Sequence, residues 1–446
     1  MRIEHLTIRN FKKFEEATFE FPRLAPAAKT QKSQGSFHLF VGENGSGKSS
    51  VLDALAVALG IWHVARPTAG WRAIRPNEAR LVARKAGDTI RFEALPSPAI
   101  EARGLIGESD VTWTRVNKGN SSKTSNADAK EALSEVESLL QKSRKEENIT
   151  LPVLAYYGAG RAWLPARDRS SKFELKLGKV SRFDAYYYCL EGRIRDKEIN
   201  QWFLFEMLEA AQRGKKRNGM QAVEKAVMNC VPGANSLRFD ADRKELVIKF
   251  GTVETPYYNL SDGQRSVLSL VADIAMKTAI LNPHLGKDCA KLSPGVVLID
   301  ELDLHLHPKW QRRIVDNLKL SFPNIQFFCT THSPFVIQSI QQGELIALGD
   351  QQDVVEYSGE SIEDIAEGVQ GVEMPQRSRR SQELGKAAEE YFRLLKSGDR
   401  TSKAALTNAE SVYRLAAEPF SQEPGLSALL KLEALAADQE NRASSR

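Results

Sequence analysis

The stretch that decides the fold is Phe37-His38-Leu39-Phe40-Val41-Gly42-Glu43-Asn44-Gly45-Ser46-Gly47-Lys48-Ser49-Ser50. Its apolar first part predicts a short buried strand, and the glycines that follow predict a loop. From Ser50 to Leu59 the apolar residues have helical spacing. The order of strand, glycine loop and helix predicts an α/β fold in which the loop leads into a helix N-terminus.

The loop has the pattern Gly-x-x-x-x-Gly-Lys-Ser, which suits phosphate binding by backbone N–H groups and by the helix N-terminus. We expect Lys48 to reach the terminal phosphates and act in catalysis, and the Ser49 hydroxyl to bind Mg²⁺. The alternative is an ordinary glycine turn, which the flanking strand and helix disfavour. The residues of the loop predicted to bind nucleotide are Gly42, Glu43, Asn44, Gly45, Ser46, Gly47, Lys48, Ser49 and Ser50.

A second buried strand is predicted at Gly295-Val296-Val297-Leu298-Ile299, because a continuous apolar run is typical of a parallel strand covered on both faces. It ends in Asp300 and Glu301, at the strand end where α/β proteins bind ligands. We expect Asp300 to hold Mg²⁺ and Glu301 to orient or deprotonate the attacking water. Two acids after a strand are common, so this prediction depends on the phosphate loop.

Two further motifs have both a structural and a functional interpretation. Ser261-Asp262-Gly263-Gln264 is a capping box for the helix predicted through Leu281, and a capped helix start is also an anion site. His332 follows a third buried strand, at 325–331, and is either a turn histidine or a contact to the γ-phosphate. Given the other motifs, we expect the phosphate contact.

The bulk composition limits the class of protein. The 446 residues are 42% hydrophobic and carry 62 Lys and Arg against 57 Asp and Glu, a formal charge of +5. This is too mild for a dedicated nucleic-acid binder, although the basic clusters at 215–217 and 377–380 are candidate phosphate contacts. Four cysteines without CxxC spacing predict no disulfide framework and no zinc site. Without a leader or a long uncharged apolar run, the expected location is the cytoplasm, with no membrane partner.

In order and spacing, these motifs resemble those of ABC-type ATPases. The opening Ile3-Glu4-His5-Leu6-Thr7-Ile8-Arg9-Asn10-Phe11 is similar to the first strand of the branch that contains the SMC and RecF proteins and the overcoming-lysogenization nucleases. The run from Ile299 to Pro308, with Thr331-His332-Ser333-Pro334 one helix and strand later, resembles PtuA, the family of ATPase subunits of Septu and Septu-like retron antiphage systems.

The resemblance implies an α/β fold, namely an ABC-type ATPase head with a mixed sheet, flanking helices, a helical insertion and a C-terminal helical element. It assigns the N-terminal part of the head to residues 1–118 and the insertion to 119–235, with a candidate glutamine loop near 151–163, most specifically at 157–161. The C-terminal part of the head falls at 236–357. A linker and a helical partner-binding element then occupy 358–446.

The resemblance also implies that two heads bind ATP and Mg²⁺ face to face, as a homodimer or higher homo-oligomer. Ser261, Gly263 and Gln264 of one protomer would then complete the γ-phosphate site of the other, and Asp303 would join the nucleotide-binding residues. Asp262 stands where the common signature has glycine, which predicts slow or conditional hydrolysis. A metal site at Asp303, His305 and His307 is the weaker interpretation of that loop, since Pro308 simply begins a helix.

The function expected from the resemblance is an ATPase that controls a partner HNH nuclease similar to PtuB. A retron reverse transcriptase and its RNA-DNA hybrid are further possible partners. The alternative is a RecF- or SMC-like repair or maintenance ATPase that clamps DNA. A self-contained nuclease is disfavoured because the region after His332 lacks a glutamate and Asp-x-Asp arrangement on strands, and a transporter subunit is disfavoured by the N-terminal strands and the insertion.

Overall fold

The computed structural model describes residues 1–22, 35–65, 72–86, 88–118, 124–145, 148–162, 181–349, 359–396 and 403–420 of the chain. The chain divides into two compact units, Met1–Ile365 and Ala366–Arg446.

The strands within the described ranges are β1 Arg2–Phe11, β2 Phe14–Glu20, β3 Ser36–Val41, β4 Leu81–Ala86, β5 Thr89–Ala94, β6 Ala99–Ile106, β7 Ser109–Asn117, β8 Thr124–Ser125, β9 Val153–Tyr157, β10 Ala234–Asp240, β11 Glu245–Phe250, β12 Val253–Pro256, β13 Gly295–Ile299, β14 Ile325–Thr330 and β15 Leu345–Ala347. The α-helices within the same ranges are α1 Lys48–Leu59, α2 Ile61–Ala65, α3 Lys130–Lys145, α4 Asp196–Arg213, α5 Asn218–Cys230, α6 Asp262–Leu281, α7 Cys289–Leu292, α8 Pro308–Ser321, α9 Pro334–Ile337, α10 Ile362–Gly368, α11 Arg379–Lys396 and α12 Lys403–Ala417.

A parallel sheet forms the centre of the first unit, with strand order β15-β3-β14-β13-β9. Every residue of β9, β13 and β14 is buried, as their continuous apolar sequences predict for strands covered on both faces. Because all five strands run in the same direction, the segments that follow β3, β14, β13 and β9 emerge at one edge. The glycine loop, Asp300 with Glu301, and His332 therefore lie at the same edge of the sheet.

The second sheet of this unit is antiparallel, with order β2-β1-β6-β7-β8, and the helix α1 packs between the two sheets. A buried glutamine ties the sheets together: the Gln326 side chain accepts from the Ile3 N–H at 2.9 Å and donates to the Ile3 carbonyl at 2.8 Å. Residues 48–65 are long and apolar enough to span a membrane, the one such helical stretch found in the described chain. They are 72% buried inside the protein, as expected of a core helix.

The long helix α6 packs against β9 and α5. Its Asp273 accepts a hydrogen bond from the Tyr157 hydroxyl at 2.6 Å and forms an ion pair with Lys277. Burial raises the pKa of the Tyr157 hydroxyl well above its usual range, so this tyrosine stays a donor. The contact fixes α6, whose first residues are the Ser261 motif, relative to the central sheet.

The mixed α/β class and the strands predicted around the glycine loop are confirmed, whereas two other predictions need correction. The sequence from roughly 185 to 229 has an amphipathic pattern that predicts helix. The structure divides this stretch into α4 and α5, because a 3₁₀ turn at Arg182–Tyr186 and an irregular segment precede α4, and Gly214, with φ of 69°, follows it. The span 119–235 is not wholly a helical insertion, because β9 belongs to the central sheet. A five-residue apolar run does not by itself distinguish a buried strand from a buried helical segment.

The second unit contains a helical hairpin of α11 and α12. The Tyr391 and Tyr413 rings stack across it with centroids 5.4 Å apart, and Leu384 and Ala388 are buried. The sequence from roughly 382 to 438, in which Ala, Leu, Glu and Lys dominate, predicts helices. The part beyond 420, with Leu429 and Leu430, lies outside the described residues.

Candidate nucleotide-binding site

The glycine loop lies between β3 and α1, as predicted, and two of its glycines are structurally required. Gly42 has φ of 143° and Gly47 has φ of 107°, backbone conformations that side chains disfavour. A Cβ on Gly42 would meet the Leu348 carbonyl oxygen at 2.5 Å, and one on Gly47 would meet the Phe14 ring at 2.6 Å. The loop therefore holds its curve only with glycine at these positions.

Lys48 is the first residue of α1 and is only 7% exposed. Its ammonium donates to the carbonyl oxygens of Gly42 at 2.8 Å and Glu43 at 2.9 Å. Burial lowers the pKa of Lys48, while the charges of nearby carboxylates, Asp300 first, oppose that shift. The side chain is thus folded over the loop that it is predicted to serve.

The loop also has the features of an anion site. Ser46 Oγ is buried, yet it has no hydrogen-bond partner among the described residues. The N-terminal N–H groups of a helix lack intrahelical acceptors, and α1 has no side-chain cap. Lys13, in the turn after β1, adds an ammonium that donates to the Gly45 carbonyl at 2.9 Å. These donors suit a phosphate chain.

Asp300 joins the glycine loop to the ends of two strands. Its Oδ1 accepts hydrogen bonds from the Ser49 hydroxyl at 3.2 Å and from the Thr330 hydroxyl at 2.6 Å. The carboxylate is thereby placed beside the hydroxyl with which it is predicted to share Mg²⁺. Oxygen donors of this kind suit that ion.

Glu301 directly follows β13 in a left-handed backbone conformation, with φ of 49°. Its N–H donates to the Thr330 hydroxyl at 2.7 Å, so the same threonine holds both acids. A non-glycine residue at positive φ is uncommon and persists only where its surroundings fix it. Here the neighbouring strand β14 supplies part of that restraint.

Arg161 adds a further restraint on the backbone of Glu301. It lies in the segment after β9 and is 4% exposed. Its guanidinium donates to the Asp300 carbonyl at 2.5 Å and to the Glu301 carbonyl at 3.0 Å. Burial lowers the pKa of Arg161, and the negative charges of Asp300, Glu301 and Asp303 counter that shift. The guanidinium therefore clamps the peptide that carries both acids.

The Asp303 loop and the His332 segment are joined as well. Asp303 Oδ1 accepts hydrogen bonds from the Thr331 hydroxyl and from the His332 N–H, the latter at 3.4 Å. The His332 side chain is exposed at the edge of the sheet. His307 Nδ1 accepts the Lys309 N–H at 3.2 Å and caps α8, which begins at Pro308 as predicted.

The Ser261 motif begins α6, and the predicted capping box is confirmed. Ser261 Oγ accepts the Gln264 N–H at 3.3 Å, and the Gln264 side chain accepts the Ser261 N–H at 3.1 Å. Asp262 forms an ion pair with Arg265. Gly263 is buried, and a Cβ there would meet the His305 carbonyl oxygen at 2.3 Å. The motif thus adjoins the loop after Glu301, with Ser261 exposed.

Three residues that contact the site were missing from the sequence-based predictions: Thr330, Arg161 and Lys13. Arg161 belongs to the proposed 157–161 segment, but no role was given to it. Thr330 precedes His332 by two positions, and Lys13 lies in a strand turn far from the motif. Their contacts depend on which strands are neighbours, which the local patterns do not specify.

Together, the parallel sheet, the glycine loop and the acids that end the next strand but one define a P-loop ATPase. Residues 5–228 match the family model described as AAA domain, and residues 127–338 match one described as AAA domain, putative AbiEii toxin, Type IV TA system. Since the first match covers half of the chain, the chain belongs to the AAA domain family.

Proteins similar in sequence include the Retron Ec83 probable ATPase of Escherichia coli, which is 25% identical over 79% of this chain and 72% of that protein. The Septu protein PtuA of Bacillus mycoides (strain KBAB4) is 25% identical over 80% of this chain and 41% of that protein. The predicted resemblance to these ATPases is confirmed. Among solved structures, an SMC head bound to the C-terminal winged-helix domain of ScpA is similar over 77% of this chain and 93% of that one, with a TM-score of 0.46 and 17% identity.

Proposed function

We propose that this chain is the ATP-binding and ATP-hydrolysing subunit of an antiphage defence complex of the Septu or retron type, acting in the cytoplasm. The observation that carries the proposal is the contact of Ser49 with Asp300, which brings the phosphate loop and the acidic strand end to one edge of the sheet. The retron and Septu names of the relatives support the defence role.

The proposed roles follow from position. Lys48 and the N–H groups of the loop bind the phosphates of ATP, and Ser46 Oγ, which has no hydrogen-bond partner among the residues that the structure describes, donates to them as well. Ser49 and Asp300 would hold Mg²⁺, which would supply charge neutralisation of the phosphates. Glu301 orients the attacking water and accepts its proton, while His332 contacts the terminal phosphate from the end of β14.

Head dimerisation is the second part of the proposal. Ser261 is exposed at the capped start of α6, and a helix N-terminus is a suitable position for a phosphate held by a second copy. The pairing of Asp262 with Arg265 reduces the repulsion that the carboxylate would otherwise exert on that phosphate. We therefore expect that Asp262 does not prevent ATP hydrolysis and that hydrolysis depends on dimer formation.

The partner in this proposal is an HNH nuclease subunit, whose action ATP-driven head pairing controls. A reverse transcriptase with its RNA-DNA hybrid is the additional partner in the retron version. The domain roles follow the same scheme: residues 1–118, the strand β9 and residues 236–357 form the head, and 358–446 offer the partner surface.

The test uses Glu301→Gln beside the wild-type chain, each co-expressed with a candidate HNH nuclease subunit. The variant should retain ATP, remain dimeric by light scattering and co-purify with the nuclease, whereas Lys48→Ala should bind no ATP. Unaltered turnover in Glu301→Gln would remove Glu301 as the base. ATP-dependent DNA binding without nuclease association would favour the DNA-clamp alternative.

A further inference from the structure

A basic cleft lies away from the predicted nucleotide site, between α4, α5 and the segment that follows α6. Its volume is about 550 Å³, within the range of ligand pockets. The charges of its lining are strongly unbalanced, since six cationic side chains face one carboxylate, Glu206. The six cations are Arg182, Arg213, Lys215, Lys216, Arg217 and Lys287.

Two of these cations are available to a ligand, whereas others are already paired. Arg213 pairs with Glu209 at 2.9 Å and Lys216 pairs with Glu224 at 2.6 Å. Lys215 and Lys287 are exposed and form no ion pair with any residue that the structure describes. The N-terminus of α5, which has no side-chain cap, also opens on the cleft at Asn218. This wall favours a phosphate.

Glu206 favours a second group on the ligand, a hydrogen-bond donor, in addition to the phosphate that the cations favour. It is 5% exposed, and Arg217 donates to its Oε1 at 3.1 Å. The other oxygen, Oε2, is buried without a hydrogen-bond partner in the described part of the chain. Leaving a buried carboxylate oxygen unpaired is costly, so the position favours a ligand with an N–H donor. Burial also raises the pKa of Glu206, and such a donor would stabilise the ionised form.

We propose that this cleft binds a single-stranded nucleic acid, with phosphates on Lys215, Lys287 and the α5 N-terminus and one unpaired base donating to Glu206 Oε2. A nucleotide combines the required phosphate with N–H groups on its base edge. In a duplex those base edges are engaged in pairing, whereas unpaired bases can be splayed into a pocket. The number of cations exceeds the need of one phosphate, which favours a strand over a free mononucleotide. Nucleic-acid binding in this cleft does not depend on the nuclease partner proposed above.

The test measures fluorescence anisotropy of a labelled 12-nucleotide DNA strand, and of its duplex, with the full chain at several salt concentrations. Lys215→Ala combined with Lys287→Ala should weaken strand binding by about 10-fold and reduce the salt slope by about 1.4, at 0.7 per lost phosphate contact. The matched control replaces Lys142 and Lys225, exposed lysines outside the cleft, and should bind as wild type.

Glu206→Gln separates hydrogen bonding from simple charge. If the cleft were only electropositive, the loss of a negative charge would strengthen strand binding. With Arg217 on the amide oxygen, the amide nitrogen would face the base as a donor, so we expect weaker strand binding and unweakened duplex binding. Strand affinity that is unchanged or higher in this variant would overturn the proposal, as would displacement of the strand by free dTMP at equal concentration. ATP hydrolysis should be unaffected, which keeps this test separate from that of the nucleotide site.

Discussion

Arg161 is buried beside the peptide that joins Asp300 to Glu301, and it donates to both carbonyl oxygens. It is a positioning residue in the proposed mechanism, because its guanidinium donates to backbone carbonyl oxygens, including those of both acids. The left-handed conformation of Glu301 makes such a restraint necessary, since a relaxed backbone would move the carboxylate.

We expect Arg161→Lys to lower kcat for ATP hydrolysis by about 10- to 100-fold, because small displacements of a catalytic group have large effects. The KM for ATP should change little, since the phosphate loop is separate. Steady-state kinetics check this split. Arg115→Lys is the control, because Arg115 is equally buried and donates to backbone carbonyls away from the acids. An equal loss of kcat in both variants would show that Arg161 supports the fold in general and does not specifically position the acids.

At the scale of elements, the start of α6 has a capping role and a proposed phosphate-binding role, which one pair of substitutions can separate. Ser261→Ala removes the cap and should lower the free energy of unfolding by about 1 kcal/mol. Ser261→Asp keeps a good capping residue but places a negative charge at the predicted phosphate contact. We expect near wild-type stability and lost ATP hydrolysis in Ser261→Asp, measured by urea unfolding and phosphate release. Full ATP hydrolysis in this variant would contradict the phosphate contact, and the helix cap would be the one remaining role of Ser261.

The strand β3 carries a buried histidine that makes the sheet sensitive to acid. His38 is 1% exposed, lies against Phe328 with ring centroids 5.0 Å apart, and has Nε2 within 2.9 Å of Ser36 Oγ. Burial, with a smaller contribution from the charge of Arg2, lowers the pKa of His38 to about 3. Unfolding restores an ordinary pKa near 6.5, so the unfolded chain binds a proton that the folded chain does not.

Stability should therefore fall as pH drops below about 6.5, by up to about 1.4 kcal/mol per pH unit from this residue. His38→Gln removes the titrating group and should flatten the dependence of the urea midpoint on pH between 7.5 and 5. A smaller slope should remain, because burial also lowers the pKa of His63. Identical slopes in the wild type and the variant would contradict this origin.

At the scale of the whole molecule, the proposed head dimer predicts complementation between two inactive variants. The Lys48→Ala variant should not bind ATP in its own phosphate loop, and the Ser261→Asp variant should not contact the γ-phosphate held by its neighbour. Each homodimer should therefore be inactive. A mixed dimer contains one site built from two intact halves. Equal mixing should restore about a quarter of wild-type hydrolysis, because half of the dimers are mixed and each has one active site. Hydrolysis that stays at background after subunit exchange would contradict shared sites.

The sequence by itself determined the strand, loop and helix around Lys48, the buried strand before Asp300 and the capping box at Ser261. These follow from local rules: apolar runs mark buried strands, glycines permit positive φ, and a short polar side chain caps a helix. The family resemblance rested on the same local motifs, in their order along the chain.

The tertiary structure decided the rest. That β9 joins the central sheet, and that Arg161 and Thr330 hold the two acids, depends on strand order. The order of the strands places Arg161 beside Asp300, 139 positions away, and Thr330 beside Asp300, 30 positions away. The cleft around Glu206 likewise depends on how α4, α5 and α6 pack. Local patterns specify which face of an element is apolar but not which neighbour covers it, so contacts between distant segments become visible only in the folded chain.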